Sequence, residues 1–302
     1  MVTPPKHRIA LVVCYFGPWP KYMKFFLWSC RRNPEIDYLI FGDSPHPGID
    51  CPNVFYHHLT ITQFTKLAST KLQLHVDIHN PYKICDFKPA FGVLFGQYLQ
   101  PYSFWGHTDL DLVFGSITNF ISDDLLNSND IISGKNAYIS GHFTLFRNSE
   151  KINWLFKSSP DYKKVLEDGN RNYCFDECSA LWFELLDGKS IFELPSDTIS
   201  MTHLVKYFQA QGSLRAHFGC FVCEQDQLTP DGNLAEFQDV LLLTGSQLHS
   251  KITGKEYMYF HFHFLKKTDH FCVPDWNLQP AQFEISKNGF SSVGEIRLQE
   301  RL

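Results

Sequence analysis

Asp109-Leu110-Asp111 sets two carboxylates two residues apart, between the apolar segments 104–106 and 112–114. In an extended strand, side chains at i and i+2 share a face. If the strand ends in a turn there, both carboxylates can address one hard divalent ion. Acidic groups wedged between buried strands are costly unless they are paired or metal-bound. Mg2+ or Mn2+ takes such oxygens and completes its shell with water and substrate phosphates, which offsets charge on a departing diphosphate. Taken alone, the pattern is short enough to arise by chance, as a solvated loop with a helix-capping aspartate.

A second polar group follows late in the chain. Residues 256–267, EYMYFHFHFLKK, alternate with period two. Met258, Phe260, Phe262 and Phe264 form one face, which is core; Tyr257, Tyr259, His261 and His263 form the other. Two histidines followed directly by Lys266 and Lys267 suit a metal–diphosphate site, imidazole as ligand and ammonium as counter-charge. The plainer reading makes both histidines hydrogen-bonded sheet residues. Asp176 and Glu177 stand at the start of an expected helix, where the dipole favours acidic residues. One of the two is free to act as a base toward an acceptor hydroxyl. Cys220 and Cys223 form a lone C-x-x-C without the second pair that a zinc site requires, so they read as buried thiols.

The elements that would carry these groups alternate through the first half. Residues 8–15 read as a strand closed by Gly17-Pro18, 21–32 as a helix ending before Pro34, and 38–41 and 54–58 as strands. Residues 62–76 and 89–98 read as helices, the second with Pro89 in its first turn. This β-α-β order predicts an α/β fold with a mainly parallel central sheet and helices on both faces. Ligands of such sheets sit at the carboxyl ends of the strands, where Gly17, Asp43 and Asp109 fall. Residues 143–147 read as a strand, and 149–156, 174–186 and 201–209 as helices. Residues 241–243 and 257–264 read as strands joined by a glycine-containing loop. A single domain is expected over 1–270, with a first half of about 8–150 and a second of 151–270, followed by a loosely structured tail over 271–302.

The 302 residues are 44% hydrophobic, enough for a sizeable core. Against 27 basic residues stand 32 acidic ones, a net of -5, with no basic stripe to attract nucleic acid. The short apolar run 9–13 reads as a first strand rather than a signal peptide, and no stretch is long and apolar enough to span a bilayer. Nine scattered cysteines fit free thiols in a reducing cytoplasm.

The segment 82–89, YKICDFKP, the helix after it and FWGHTDLDLVFG over 104–115 resemble bacterial polysaccharide glycosyltransferases of the GT-A fold, a Rossmann-like nucleotide-sugar-binding architecture. More distantly they resemble the sugar-transferase clan of the clostridial glucosylating toxins. The resemblance covers about residues 8–150, and more loosely extends to 267. In that clan a Ser-Asp-x-x-Arg element precedes D-x-D by one helix; Asp86 and Lys88 hold the comparable place here, with different spacing and a lysine.

The resemblance implies that 8–150 is the nucleotide-sugar-binding half and 151–270 the acceptor half. It sets Tyr15 and Phe16 near the nucleobase, Asp43 on the base or ribose, and Asp86 and Lys88 on donor hydroxyls or phosphate. Asp109 and Asp111 serve the metal, with Asp109 alternatively on ribose or sugar. His261 or His263 joins as a further ligand, and Lys266 or Lys267 meets the phosphates. Ser140-Gly141-His142 resembles a Gly-His turn in which Gly141 lets a sugar approach and His142 bonds it. Function is thus expected to be transfer from a nucleotide-diphosphate donor, UDP-linked, to a glycan or lipid-linked acceptor, using Mn2+ or Mg2+. Retention is favoured by the toxin clan alone, and peripheral contact with an inner membrane suits such an acceptor. The rival readings are a haloacid-dehalogenase-type phosphohydrolase, whose nucleophilic aspartate should follow the first strand, and a non-catalytic nucleotide-sugar-binding protein.

Overall fold

The computed structural model describes residues 7–293. β1 (Ile9–Tyr15), β2 (Ile36–Gly42), β3 (Val54–His58) and β4 (Phe104–Thr108) run parallel in the spatial order 3-2-1-4. The sheet continues through β7 (Phe143–Arg147) and β6 (Ile131–Ser133), each antiparallel to its predecessor, and ends with β8 (Ala216–Phe218) parallel to β6. The expected α/β architecture with a mainly parallel sheet is what the chain adopts.

β1 shows why both faces are covered. Ala10 and Val12 pack with Phe64, Ala68 and Leu72 of α2 (Ile61–Leu72). Ile9, Leu11 and Val13 point the other way, onto Phe26 and Leu27 of α1 (Met23–Arg31). A strand buried on both sides needs an unbroken apolar run, and this one has it. The order 3-2-1-4 sends the chain from β1 outward to β3 and then back across to β4. A crevice therefore opens at the carboxyl ends of β1 and β4, the switch point where α/β sheets bind ligands.

After β4 the chain changes sheets. β5 (Leu112–Phe114) pairs antiparallel with β13 (Tyr259–His261), and β13 pairs parallel with β9 (Val222–Glu224). Residues 109–111 form the bend between the two sheets, so the two aspartates lie in a turn rather than along one strand.

Several expected elements are corrected. The helix expected to start at Pro89 begins earlier, as a 3-10 helix over Pro81–Ala90. Asn80 accepts from the Tyr82 amide at 2.9 Å and Pro81 occupies the first position, a better start signal than an internal proline. The expected helix over 174–186 is a run of turns up to a short helix, Trp182–Leu186. Cys174, Ser179 and Ala180 take positive φ of 50°, 55° and 65°, a conformation no helix tolerates. The expected strand over 257–264 is interrupted at Met258 and ends at His261.

Residues 271–293, expected within a loose tail, include a hairpin, β14 (Gln282–Ser286) and β15 (Gly289–Ser292). It joins a five-stranded antiparallel sheet with β10 (Leu241–Thr244), β11 (Gln247–Ser250) and β12 (Glu256–Tyr257). Phe283, Ile285 and Phe290 bury against Phe25 and Trp28 of α1, so this sheet is fastened to the main fold by a third core. Residues 294–302 of the expected tail lie outside the described residues. No described helix is long and apolar enough to cross a membrane.

Candidate functional site

At the crevice between β1 and β4 lies a cleft of about 490 Å3. Tyr15 and Phe16 wall it at the end of β1, Asp109 and Asp111 at the bend, and His261 at the end of β13. Two electrostatic clusters divide it.

The first centres on Asp111, whose side chain is only 6% exposed. Its Oδ2 lies 2.6 Å from Lys266 Nζ, 3.4 Å from His263 Nδ1 and 3.7 Å from His261 Nε2. The antiparallel pairing of β13 with β5 sets His261 opposite Leu112, one residue past Asp111. Burial by itself would raise the Asp111 pKa, yet His261, His263 and Lys266 outweigh it and hold the carboxyl well below the usual range. Burial likewise opposes charge on His261, but Asp111 and Glu224 push that imidazole up to about 10. Lys266 also donates to the Tyr22 hydroxyl at 3.3 Å.

Asp111, His261 and His263 can present ligand atoms within 4.8 Å of one another. His261 Nε2 is buried and hydrogen-bonds none of the described residues. One carboxylate with two imidazoles suits Mn2+ and the later divalent ions better than Mg2+, which prefers oxygen throughout. The residues present therefore fit a divalent transition-metal ion.

The second cluster surrounds Lys88. Its buried Nζ donates to Asp109 Oδ1 and to the Gly141 carbonyl, both at 2.7 Å, and lies 3.6 Å from Asp176 Oδ2. Asp109 Oδ1 is thus held by Lys88, and Asp109 is not among the described residues whose ligand atoms gather with Asp111. Glu177 accepts from the Gly141 amide and from Trp182 Nε1, both at 2.7 Å, so its oxygens are committed. Asp176 makes no hydrogen bond to the described residues, and burial raises its pKa well above the usual range, only partly offset by Lys88. Without a helix at 174–181, neither acid is a helix cap.

Gly141 packs against both acids. A Cβ there would meet Asp176 Oδ2 at 2.7 Å and Glu177 Cδ at 2.8 Å, so the missing side chain makes room for these acids at the cleft wall. Gly141→Ala is expected to destabilise the protein by about 1–3 kcal/mol, as overpacking does, measured as a lower denaturation midpoint at unchanged slope. The neighbouring His142 is 4% exposed, with both ring nitrogens lacking hydrogen-bond partners. Burial first, then the charge on His261, pushes it well below its ordinary pKa, so it is a neutral imidazole at the cleft wall.

Three expected contacts fall elsewhere. Asp86 is 0% exposed: it pairs with Lys83 at 2.7 Å and accepts the Tyr173 and Phe175 amides at 2.9 Å. It fastens the segment that carries Asp176 and touches no ligand space. Asp43 accepts from the Gly17 amide at 2.8 Å, shaping the loop after β1, and is not part of the cleft wall. Lys267 Nζ lies 2.7 Å from His263 Nε2 and likewise stands off the wall. Among residues that sequence reasoning passed over, Glu224, Lys135, Tyr82 and Trp182 are the main ones. Glu224 was visible as an acid directly after the C-x-x-C strand; its pairing with His261 was not.

Comparisons with solved structures give only distant likenesses. A galactosyltransferase, LgtC, solved with donor and acceptor sugar analogues, is similar at 10% identity and a TM-score of 0.33. The match covers 54% of this chain and 66% of that one, just under two thirds. Apo mouse xyloside xylosyltransferase 1 is similar at 9% identity and a TM-score of 0.38, over 72% of this chain and 87% of that one. At these values the likeness extends to neither activity nor substrate. No curated protein matches the chain in sequence. One family model spans nearly everything described above, residues 11–293, including both clusters and the C-terminal hairpin: the chain belongs to the family of unknown function DUF6625.

Proposed function

We propose that this chain is a metal-dependent glycosyltransferase of GT-A type. It moves a sugar from a nucleoside diphosphate donor, UDP-linked, to a hydroxyl of a glycan or glycolipid, with Mn2+ held by Asp111, His261 and His263. The observation that carries this reading is the Asp111–His261–His263–Lys266 group at the switch-point crevice. A carboxylate, two imidazoles and an ammonium meet where an α/β sheet binds nucleotides.

When bound, such an ion offsets the charge growing on the departing diphosphate. Lys266 adds a fixed positive charge beside it. Tyr15 and Phe16 offer aromatic surface to the base. Lys88 holds Asp109 at the cleft, where its carboxylate can accept donor hydroxyls. Asp176 and the neutral His142 line the cleft with unused hydrogen-bonding capacity, and this reading assigns them to the acceptor side. Retention is the outcome favoured by the toxin-clan resemblance, and Asp176 then positions the acceptor hydroxyl rather than serving as an obligate base.

Thermal-shift titration with UDP, GDP, CDP and inorganic phosphate, each with and without Mn2+, tests the reading. UDP with Mn2+ should stabilise the protein by about 2.7 kcal/mol at a hundredfold excess over Kd. Absence of any nucleotide effect sinks the proposal. Stabilisation by phosphate alone supports the phosphohydrolase reading instead.

A further inference from the structure

Glu224 closes β9, and the register of β9 on β13 sets it directly beside His261. Its two nearest partners take one oxygen each, and Oε2 also lies 3.6 Å from His142 Nε2. Oε1 accepts from Lys135 Nζ, which also donates to Asp226 at 2.6 Å; Oε2 lies 2.7 Å from His261 Nδ1. Glu224 and His261 side chains are each 11% exposed and Lys135 is 3% exposed, so water competes little for these bonds. Both oxygens are engaged, and Glu224 also presents a ligand atom within 4.8 Å of His142 and His261, so its engagement with Lys135 and His261 Nδ1 is what sets it behind His261 rather than on an ion.

A carboxylate at that distance holds a proton on Nδ1, so an ion that displaces the other proton meets the lone pair on Nε2. That atom is buried, has no hydrogen-bond partner among the described residues and lies 3.7 Å from Asp111 Oδ2. His263 differs: its Nδ1 faces Asp111, its Nε2 faces Lys267 rather than a carboxylate, and its side chain is 27% exposed. Resting on the metal reading above, we propose that Glu224, clamped by Lys135, is a positioning residue. It fixes the Nδ1–H tautomer of His261 and aims Nε2 at a divalent cation shared with Asp111, making His261 the stronger histidine ligand. Outer partners of this kind orient metal-binding imidazoles, and losing one costs about 10–100-fold in metal affinity.

The test is Mn2+ binding to the full-length apo protein by calorimetry, for wild type, Glu224→Ala, Glu224→Gln and Lys135→Met. Glu224→Ala should bind about 10–100-fold more weakly. Glu224→Gln should recover most of the affinity, because its amide oxygen still accepts from Nδ1–H. Nitrogen-15 NMR with Zn2+ as a diamagnetic probe should show His261 ligating through Nε2 in wild type and a mixed state in Glu224→Ala. Wild-type affinity in a folded Glu224→Ala variant overturns the inference, as does a Glu224→Gln variant no better than alanine. Should Glu224→Ala not fold, Lys135→Met gives the same reading: unchanged Mn2+ affinity overturns it. A wild type that binds no Mn2+ removes the metal reading and this inference together. Wild-type binding with an indifferent Glu224 removes the inference alone.

Discussion

Asp111→Asn should lose Mn2+ affinity by more than the 10–100-fold expected for an outer partner, and with it any Mn2+-dependent stabilisation by UDP. Asparagine keeps the shape and one carbonyl oxygen but withdraws the only carboxylate of the Asp111–His261–His263 group. The expected result is a flat Mn2+ titration in calorimetry, together with loss of slow donor hydrolysis measured as UDP release. A variant that keeps Mn2+ binding would show that the ion is held elsewhere, with Asp109 the next carboxylate to examine.

The same substitution has a cost in the ion-free protein. Asp111 is the shared anion for Lys266 at 2.6 Å and for the imidazoles of His261 and His263. Removing one member of a buried ionic group leaves the remaining charges uncompensated, which typically costs about 3–5 kcal/mol. Lys266 is 22% exposed and can turn toward water, so the loss here should fall at or below the lower end of that range. A denaturation midpoint reads it, and far-UV circular dichroism separates a weakened fold from a lost one. The contrast with Glu224→Ala is informative, because there Asp226 still pairs with Lys135.

How much of this was legible beforehand differs from element to element. β3 was expected at 54–58 and is found at Val54–His58, because a Val-Phe-Tyr run of strand-favouring residues announces itself locally. Asp111, His261 and Lys266 were legible as residue types at suggestive spacing, and the β5–β13 ladder brings them together. What stayed hidden depends on contacts distant in sequence. Glu224 gains its meaning only from the parallel pairing of β9 with β13. Asp86 was expected beside Lys88 on donor hydroxyls or phosphate, and only the packing of 165–175 over it, with Lys83 as its partner, shows otherwise. The turns at 174–181 defeat periodicity because their apolar residues mimic helical spacing while three backbones sit at positive φ. The final hairpin was missed because Phe283, Ile285 and Phe290 acquire a core only when α1 supplies Phe25 and Trp28.

Asp86→Ala should be the most destabilising substitution discussed here. Lys83 is 1% exposed, and its ammonium binds Asp86 at 2.7 Å, the Val165 carbonyl at 2.6 Å and the Arg171 carbonyl at 2.7 Å. Deleting the carboxylate strands that charge and also leaves the Tyr173 and Phe175 amides without their acceptor. Breaking a buried pair costs about 3–5 kcal/mol, and each orphaned buried amide adds about 1–3 kcal/mol. A chain of this size commonly has about 5–15 kcal/mol in all, so Asp86→Ala should be mostly unfolded or strongly depleted on expression. The double variant Lys83→Met/Asp86→Leu separates the two causes. It removes both charges and restores apolar volume, so the ionic part of the loss should be recovered while the amide part persists. Partial recovery of the denaturation midpoint, with donor hydrolysis still impaired, is the expected outcome, because Tyr173 and Phe175 would no longer hold Asp176 at the cleft. Full recovery of both would show that Asp86 serves only the ion pair, and that the turn carrying Asp176 is held by its own strained backbone and by the Glu177–Gly141 hydrogen bond.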